Sequence, residues 1–230
     1  MQNAFRPTPP LAGGGVGREG NHMQKEPKII FGIDEAGRGP LAGPVLAVAI
    51  IVPQFSIFNF QFSKNFQFLN FKNKDSKKLT AKQRESIHAF LKESPDAQWG
   101  TGKVSEKVID KTNILNATKL AMEKAVLSLE KKIGKQADKL LIDGNFGISL
   151  ARPQQSIIKG DEKIFLISLA SIVAKVERDN LMQKMHKKYP QYGFDQHKGY
   201  GTKQHLTALQ KFGPCKIHRT SFNPVALNLK

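Results

Sequence analysis

Apolar and polar positions change period several times along the chain, and each change predicts an element. Ile29-Ile30-Phe31-Gly32-Ile33 is a short apolar run ending at two adjacent carboxylates, Asp34 and Glu35. A turn rich in glycine and proline follows, and then a second apolar run from Val45 to Val52. Short β-branched runs bounded by glycine and proline predict strands. Ala97 to Val104 predicts a third strand, and Lys139 to Ile142 a buried fourth that ends at Asp143-Gly144-Asn145. Helical spacing occupies the intervals. Thr80 predicts the N-cap of a helix reaching Leu91, with Ile87, Phe90 and Leu91 on one side. Asn113 predicts the cap of another, along which Leu115, Leu120, Ala121, Val126, Leu127 and Leu129 recur. Lys159-Gly160-Asp161 opens one long helix to Lys188. Its first half, Ile164 to Val176, is apolar almost all round apart from Ser168, Ser171 and Lys175, which predicts an interior position. Its second half reads as basic and amphipathic. Residues 192–202, YGFDQHKGYGT, predict a loop, and Thr202 to Lys211 a last short helix. Helices falling between strands predict an α/β layered domain.

Two stretches break this pattern. Met1 to Glu26, with Gly-Gly-Gly and Pro-Pro, has no periodicity and predicts a disordered leader. His22-Met23 reads as a cloning junction, which would make Met23 the natural start. Phe55 to Phe71 holds seven of the fifteen phenylalanines, alternating at 58, 60, 62 and again at 66, 68. Such alternation predicts a β-hairpin with one aromatic face, either a stacking platform for single-stranded nucleic acid or, the favoured reading, a face packed on the core.

Charge narrows the function classes. The chain has 36 Lys and Arg against 19 Asp and Glu, a net +17, and 11 of those cations against three acids fall between Lys175 and Lys230. This excess favours a polyanionic partner, either nucleic acid or an anionic membrane surface, over a basic surface with no partner. A single cysteine, Cys215, excludes an internal disulfide and a cysteine-rich zinc site. No run approaches the roughly 18 apolar residues of a membrane span, and the N-terminus lacks a signal-peptide core, so a cytoplasmic protein is expected.

Within this basic chain the acids share a context. Asp34 and Glu35 end the first strand, Asp143 ends the strand LLID, and Asp161 follows Gly160 at the start of the interior helix. If the two strands are parallel neighbours, their carboxyl ends bring Asp34, Glu35 and Asp143 to one edge, where Asp161 can join them. Four carboxylates without a cysteine or a histidine pair are hard oxygen donors that suit Mg²⁺ or Mn²⁺. Two such ions would serve phosphodiester hydrolysis. Taken singly, Asp161 also suits a helix N-cap and Asp143 a turn. Gly37-Arg38-Gly39 offers main-chain N–H groups and a guanidinium beside the acids, as a sugar-phosphate contact or as a plain tight turn. The six histidines show no metal-ligand spacing, and His197 is the one singled out for test.

Blocks in a fixed order carry a resemblance. DEAGRGPLAGPV (34–45), DSKKL (75–79), IDGN (142–145), KGDEK (159–163), ASIVAKVERD (170–179), GFDQHKGYGTKQH (193–205) and GPCKIHRTSF (213–222) resemble type II ribonuclease H over nearly all of Lys28 to Pro224. The DEAGRG form resembles the type II enzyme rather than type III, which carries an extra N-terminal domain. The resemblance implies an RNase H-like α/β fold: a five-stranded mixed sheet flanked by helices, with a C-terminal helical appendage. It implies a catalytic domain over 27–188 and a substrate-binding appendage over 189–230. The implied activity is endonucleolytic cleavage of RNA in RNA/DNA hybrids, and 5′ of single ribonucleotides embedded in duplex DNA, leaving 3′-hydroxyl and 5′-phosphate ends. Asp34, Glu35, Asp143 and Asp161 would hold Mn²⁺ or Mg²⁺. Gly37, Arg38 and Gly39 would read the ribose 2′-hydroxyl, Tyr200 would stack on the deoxyribose beyond the junction, and Lys175 and Lys198 would contact phosphates. A monomer with nucleic acid as its partner is expected. Phe55 to Phe71 is longer than the usual connection in that family.

Overall fold

The computed structural model describes residues 28–52 and 79–229. The leader, the Phe-rich piece at 55–71 and all but the last residue of DSKKL lie outside the described residues. Five strands form one mixed sheet: β1 (Ile30–Ala36), β2 (Val45–Ile51), β3 (Gln98–Val104), β4 (Lys139–Asp143) and β5 (Gln154–Ile157), in the order β3-β2-β1-β4-β5. β1, β2 and β3 pair antiparallel, whereas β1–β4 and β4–β5 are parallel. The helices are α1 (Ala81–Glu93), α2 (Glu106–Thr112), α3 (Ile114–Ile133), α4 (Gly160–Lys163), α5 (Phe165–Lys188), α6 (Phe194–His197) and α7 (Lys203–Phe212).

Both faces of the central strands are covered, so those strands read as continuous apolar runs and not as alternating ones. Phe31, Ile33, Val45, Ala47 and Ala49 pack beneath α3, while Leu46, Val48 and Ile50 pack with α1 and α5 on the other face. Thr80 caps α1 in a reciprocal box with Gln83, and Asn113 caps α3 through the N–H of Asn116. No described helix is long and apolar enough to cross a membrane.

Four expectations need correction. α3 buries Ala121, Val126 and Leu129 as expected, together with Ala117, Met122 and Ala125, whereas Leu115 and Leu127 are exposed. The cause is close approach, since a Cβ on Gly102 would lie 1.9 Å from the Ala121 carbonyl oxygen and one on Gly100 2.4 Å from that of Ala125. The predicted helix from Asp161 to Lys188 is two helices, broken at extended Ile164, and Asp161 sits in the first turn of α4 and is not its N-cap. The second half of α5 is amphipathic as expected, with Met182 buried and Lys184, Lys187 and Lys188 exposed. Its basic residues are not all at the surface, however, because Arg178 is fully buried. Residues 192–202 are likewise no open loop: they contain α6, and Tyr192, Phe194 and His197 are buried. α2 and β5 had no predicted counterpart. The short polar run Gln154-Gln155-Ser156-Ile157 lies at the sheet edge and carries no apolar alternation.

Candidate active site

The acids meet because β1 and β4 are parallel and in register. Ile33 pairs with Ile142, which sets Asp34 and Asp143 side by side one residue further along. Asp143 accepts a hydrogen bond from the Gly160 N–H at 2.6 Å, and this tie brings α4, and Asp161 with it, to the same strand end. Asp34 and Asp161 are buried, 4% and 3% exposed. Burial pushes the Asp34 carboxyl well above its ordinary range, and the neighbouring charges of Glu35 and Asp143 push it further; bonds from Ser171 and the Glu35 N–H only partly oppose this. Glu35 is raised as well, by burial first and by Asp143, against the lowering effect of Arg38. Its Oε1 meets Arg38 at 3.5 Å, while its buried Oε2 meets no hydrogen-bond partner among the described residues.

The GRG turn is held from behind by two arginines that are both fully buried. Arg178 of α5 donates to the carbonyls of Pro44, Lys198 and Ala42 at 3.1–3.2 Å. Arg219 donates to Gly43, Arg38 and Gly37 carbonyls at 2.5–3.0 Å. Within the turn itself, the carbonyls of Gly37 and Arg38 are thus held from the protein side. Gly37 has φ +100, and a Cβ there would lie 2.1 Å from the Arg178 Nε, so only glycine fits this position without displacing the guanidinium. Burial pushes Arg219 down to about 9, with the charge of Arg178 adding to the effect, which leaves it cationic at neutral pH.

A cleft of about 470 Å³ opens beside the acids, lined among others by Glu35, Gly37, Arg38, Gly39, Lys175 and Tyr200. The Tyr200 ring is 44% exposed and lies under the Lys175 ammonium, which is 5.9 Å from its centroid and paired with Asp179. Arg38 also lies 5.7 Å from the centroid of the Phe146 ring. Lys198 stands apart from the cleft lining. Its ammonium bonds to the Asp195 carbonyl, and its contribution there is the main-chain oxygen that Arg178 holds.

Among the described residues, no three His, Cys, Asp or Glu side chains stand in a ready-made metal cage. The donor chemistry nevertheless fits a hard divalent cation: buried carboxylates with raised proton affinity, and a Glu35 oxygen without a partner, are what a cation between them would relieve.

Three contributors escaped the sequence reading. Ser171, Arg178 and Arg84 all line the cleft, and Ser171 bonds to Asp34. Ser171, Lys175 and Arg178 fall at i, i+4 and i+7 of α5, a polar stripe in an apolar helix, and that spacing was a usable signal. Arg219 had no such signal, because its partners are carbonyls more than 170 residues away.

The comparisons with known proteins agree with this geometry. The family model described as Ribonuclease HII matches residues 31–225. A curated ribonuclease HII of Chlamydia trachomatis (serovar A) is 50% identical over 196 residues, covering 85% of this chain and 82% of that protein. One of Acetivibrio thermocellus is 49% identical over 199 residues, 86% of this chain and 71% of that protein. The crystal structure of ribonuclease H2 from Pyrococcus horikoshii OT3 superposes with a TM-score of 0.65 at 26% identity, over 86% of this chain and 96% of that one. A Bst ribonuclease HIII in complex with Mn²⁺ shares the fold, with a TM-score of 0.63 at 14% identity over 90% of this chain and 70% of that one. A mixed five-stranded sheet with its acids at a parallel strand end, and this likeness over most of the chain, lead to one assignment: the chain belongs to the ribonuclease HII family and is an endonuclease of the ribonuclease H type.

Proposed function

We propose that the chain hydrolyses RNA in RNA/DNA hybrids and also cuts 5′ of a single ribonucleotide embedded in duplex DNA, leaving 3′-hydroxyl and 5′-phosphate ends. The observation that carries this reading is a shared edge: Glu35 both belongs to the acidic cluster and lines the cleft that contains Gly37, Gly39 and Tyr200. A phosphate at the acids therefore has its sugar beside the turn.

Asp34, Glu35, Asp143 and Asp161 hold Mg²⁺ or Mn²⁺ in this reading. Divalent ions held there would supply activation of the attacking water and charge stabilisation for the leaving oxygen. The chain's own groups do the rest. Ser171 and the Glu35 N–H orient the Asp34 carboxylate. Arg178 and Arg219 fix the carbonyls of the GRG turn, so that its N–H groups meet the ribose 2′-hydroxyl, the group that separates RNA from DNA. Tyr200 stacks on the sugar beyond the junction, and Arg38 and Lys175 neutralise the strand's phosphates.

The test compares a DNA duplex carrying one ribonucleotide with the same duplex in all-DNA form, with Mg²⁺, with Mn²⁺ and with chelator. Cleavage of the first alone, lost on chelation, supports the reading. Equal cutting of both duplexes refutes recognition of the ribose, and undiminished cutting by Asp34→Asn refutes the assignment of the acids.

A further inference from the structure

Three histidines are buried together in the C-terminal segment: His197 at 8% exposure, His205 at 0% and His218 at 2%. His205 stacks on His197 with centroids 4.5 Å apart and an interplanar angle of 13°. Phe194 meets both rings edge-on, at 5.9 and 5.4 Å, so neither has room to turn. His205 Nε2 lies 3.0 Å from His218 Nε2.

The hydrogen bonds around these rings leave each a single neutral tautomer. A carbonyl only accepts, so the 2.9 Å contact of His205 Nδ1 with the Tyr200 oxygen makes Nδ1 the protonated nitrogen and Nε2 an acceptor. His218 must then donate from Nε2, and its Nδ1 is free to accept from the Cys215 N–H at 2.8 Å. The same Nδ1 lies 3.3 Å from the Cys215 oxygen, a longer contact that would leave the Cys215 N–H unbonded if it were the real one. His197 likewise donates from Nε2 to the Tyr192 oxygen at 2.7 Å and accepts from the Gly199 N–H at 3.2 Å. A second proton on any of the three would set donor against donor.

This chain of bonds ends at Tyr200. The residue sits between Gly199 and Gly201, neither of which restricts the backbone, so its placement depends on what holds its main chain. Its N–H donates to the His197 carbonyl at 2.9 Å, and its oxygen accepts from His205 and from the Thr202 N–H at 2.8 Å. The ring then stands against Gly39, where a Cβ would lie 3.5 Å from Tyr200 Cε1.

We propose that His205 and His218 are positioning residues for recognition of the ribose–deoxyribose junction: a relay of fixed tautomers, from the Cys215 N–H through His218 and His205 to the Tyr200 carbonyl, holds the Tyr200 ring against the GRG turn. The inference rests on the reading of Tyr200 given above.

Two substitutions at one position test it. The Asn amide nitrogen takes the place of Nδ1 and the Gln amide nitrogen that of Nε2, so His205→Asn keeps the donor to Tyr200 and His205→Gln loses it. Expected is a kcat/KM for the single-ribonucleotide duplex within about threefold of wild type for His205→Asn, and a loss of about tenfold or more for His205→Gln, with a smaller loss on a continuous hybrid. Equal losses in both variants overturn the relay, because the ring would then only be filling space. Should neither variant fold, ¹⁵N NMR of the wild-type imidazoles at pH 7 decides: His205 protonated at Nδ1, with His197 and His218 at Nε2, supports the relay, and His205 protonated at Nε2 overturns it. Tyr200→Ala separates the two levels. Undiminished single-ribonucleotide cleavage by that variant removes the role of Tyr200 and the relay with it; impaired cleavage there beside normal cleavage by His205→Gln removes the relay alone.

Discussion

Gly37 and Gly39 flank the same arginine, yet alanine at the two positions should have different consequences. At Gly37, φ is +100, and a new Cβ would stand 2.1 Å from Arg178 Nε, 2.6 Å from Cδ and 2.9 Å from Cζ. The left-handed conformation costs a side chain roughly 1–2 kcal/mol. The guanidinium must also move, and it is fully buried with three bonds to carbonyls. Losing one such charge-assisted bond in the interior costs roughly 1.5–3 kcal/mol. Together these give about 4 kcal/mol, which in a domain of this size lowers Tm by about 8–16 °C. At Gly39 the nearest atom to a new Cβ is Tyr200 Cε1 at 3.5 Å, an ordinary contact at an ordinary φ. Gly39→Ala should therefore melt within about 2 °C of wild type. It should still lose cleavage at a single ribonucleotide, because its methyl group stands where the sugar approaches. Calorimetric melts of both variants, beside cleavage of the single-ribonucleotide duplex, check this. Equal loss of Tm in the two, or a Gly37→Ala that melts like wild type, would show that Arg178 does not brace the turn.

The remaining predictions concern the acids and the histidines. The raised Asp34 carboxyl contributes stability that is complete below the ordinary carboxylate range and lost as pH rises through its folded pKa, so burial of an ionisable group there destabilises the metal-free fold above that range. Asp34→Asn should thus raise the Tm of chelator-treated protein, abolish most of the stabilisation that Mn²⁺ gives wild type, and cut cleavage by orders of magnitude. A lower Tm with an undiminished Mn²⁺ response would contradict the metal assignment. His205 and His218 work in the opposite direction: burial holds both down to about 4, against roughly 6.5 unfolded. Their contribution is complete above the unfolded value and is lost as pH falls towards 4, by at most about 1.4 kcal/mol per pH unit for each. Urea unfolding of metal-loaded protein at pH 7, 6 and 5 should show this decline, and a flat profile would refute it. Arg219→Lys keeps a charge but not a fork; it should lose about 2–4 kcal/mol in the same measurement, since one ammonium cannot serve the Gly37, Arg38 and Gly43 carbonyls together.

What the chain discloses before folding depends on how local the physics is. β1 and β2 were legible because both faces of each are buried, which writes an uninterrupted apolar run. β4 buries Leu140 and Ile142 but only half-buries Leu141, and its short apolar run still marks it. Asp34, Glu35 and Asp143 stand out because they end such runs. The caps Thr80 and Asn113 act within three residues, and both do what their positions suggest. The face of α3 was legible in part: Ala121, Val126 and Leu129 are buried, but Leu115 and Leu127 are not. The sheet beneath offers Gly100 and Gly102 and so draws in alanines, leaving Leu115 and Leu127 outside.

The same reasoning explains why the recognition side of the cleft was harder to read than the acidic side. A carboxylate's role is largely set by its own chemistry, whereas Arg178 and Arg219 look like two more surface cations in the basic last quarter of the chain. Their burial follows from a demand made elsewhere. The Gly37 and Arg38 carbonyls are directed into the protein, where a main-chain oxygen needs a partner. Two guanidiniums, with five donors each and no acceptor, satisfy several carbonyls at once where smaller side chains would leave some unbonded. Part of the positive charge that suggested a nucleic-acid surface is therefore buried, bracing the backbone of the GRG turn. The cations that remain at the cleft wall are Arg38, Lys175 and Arg84.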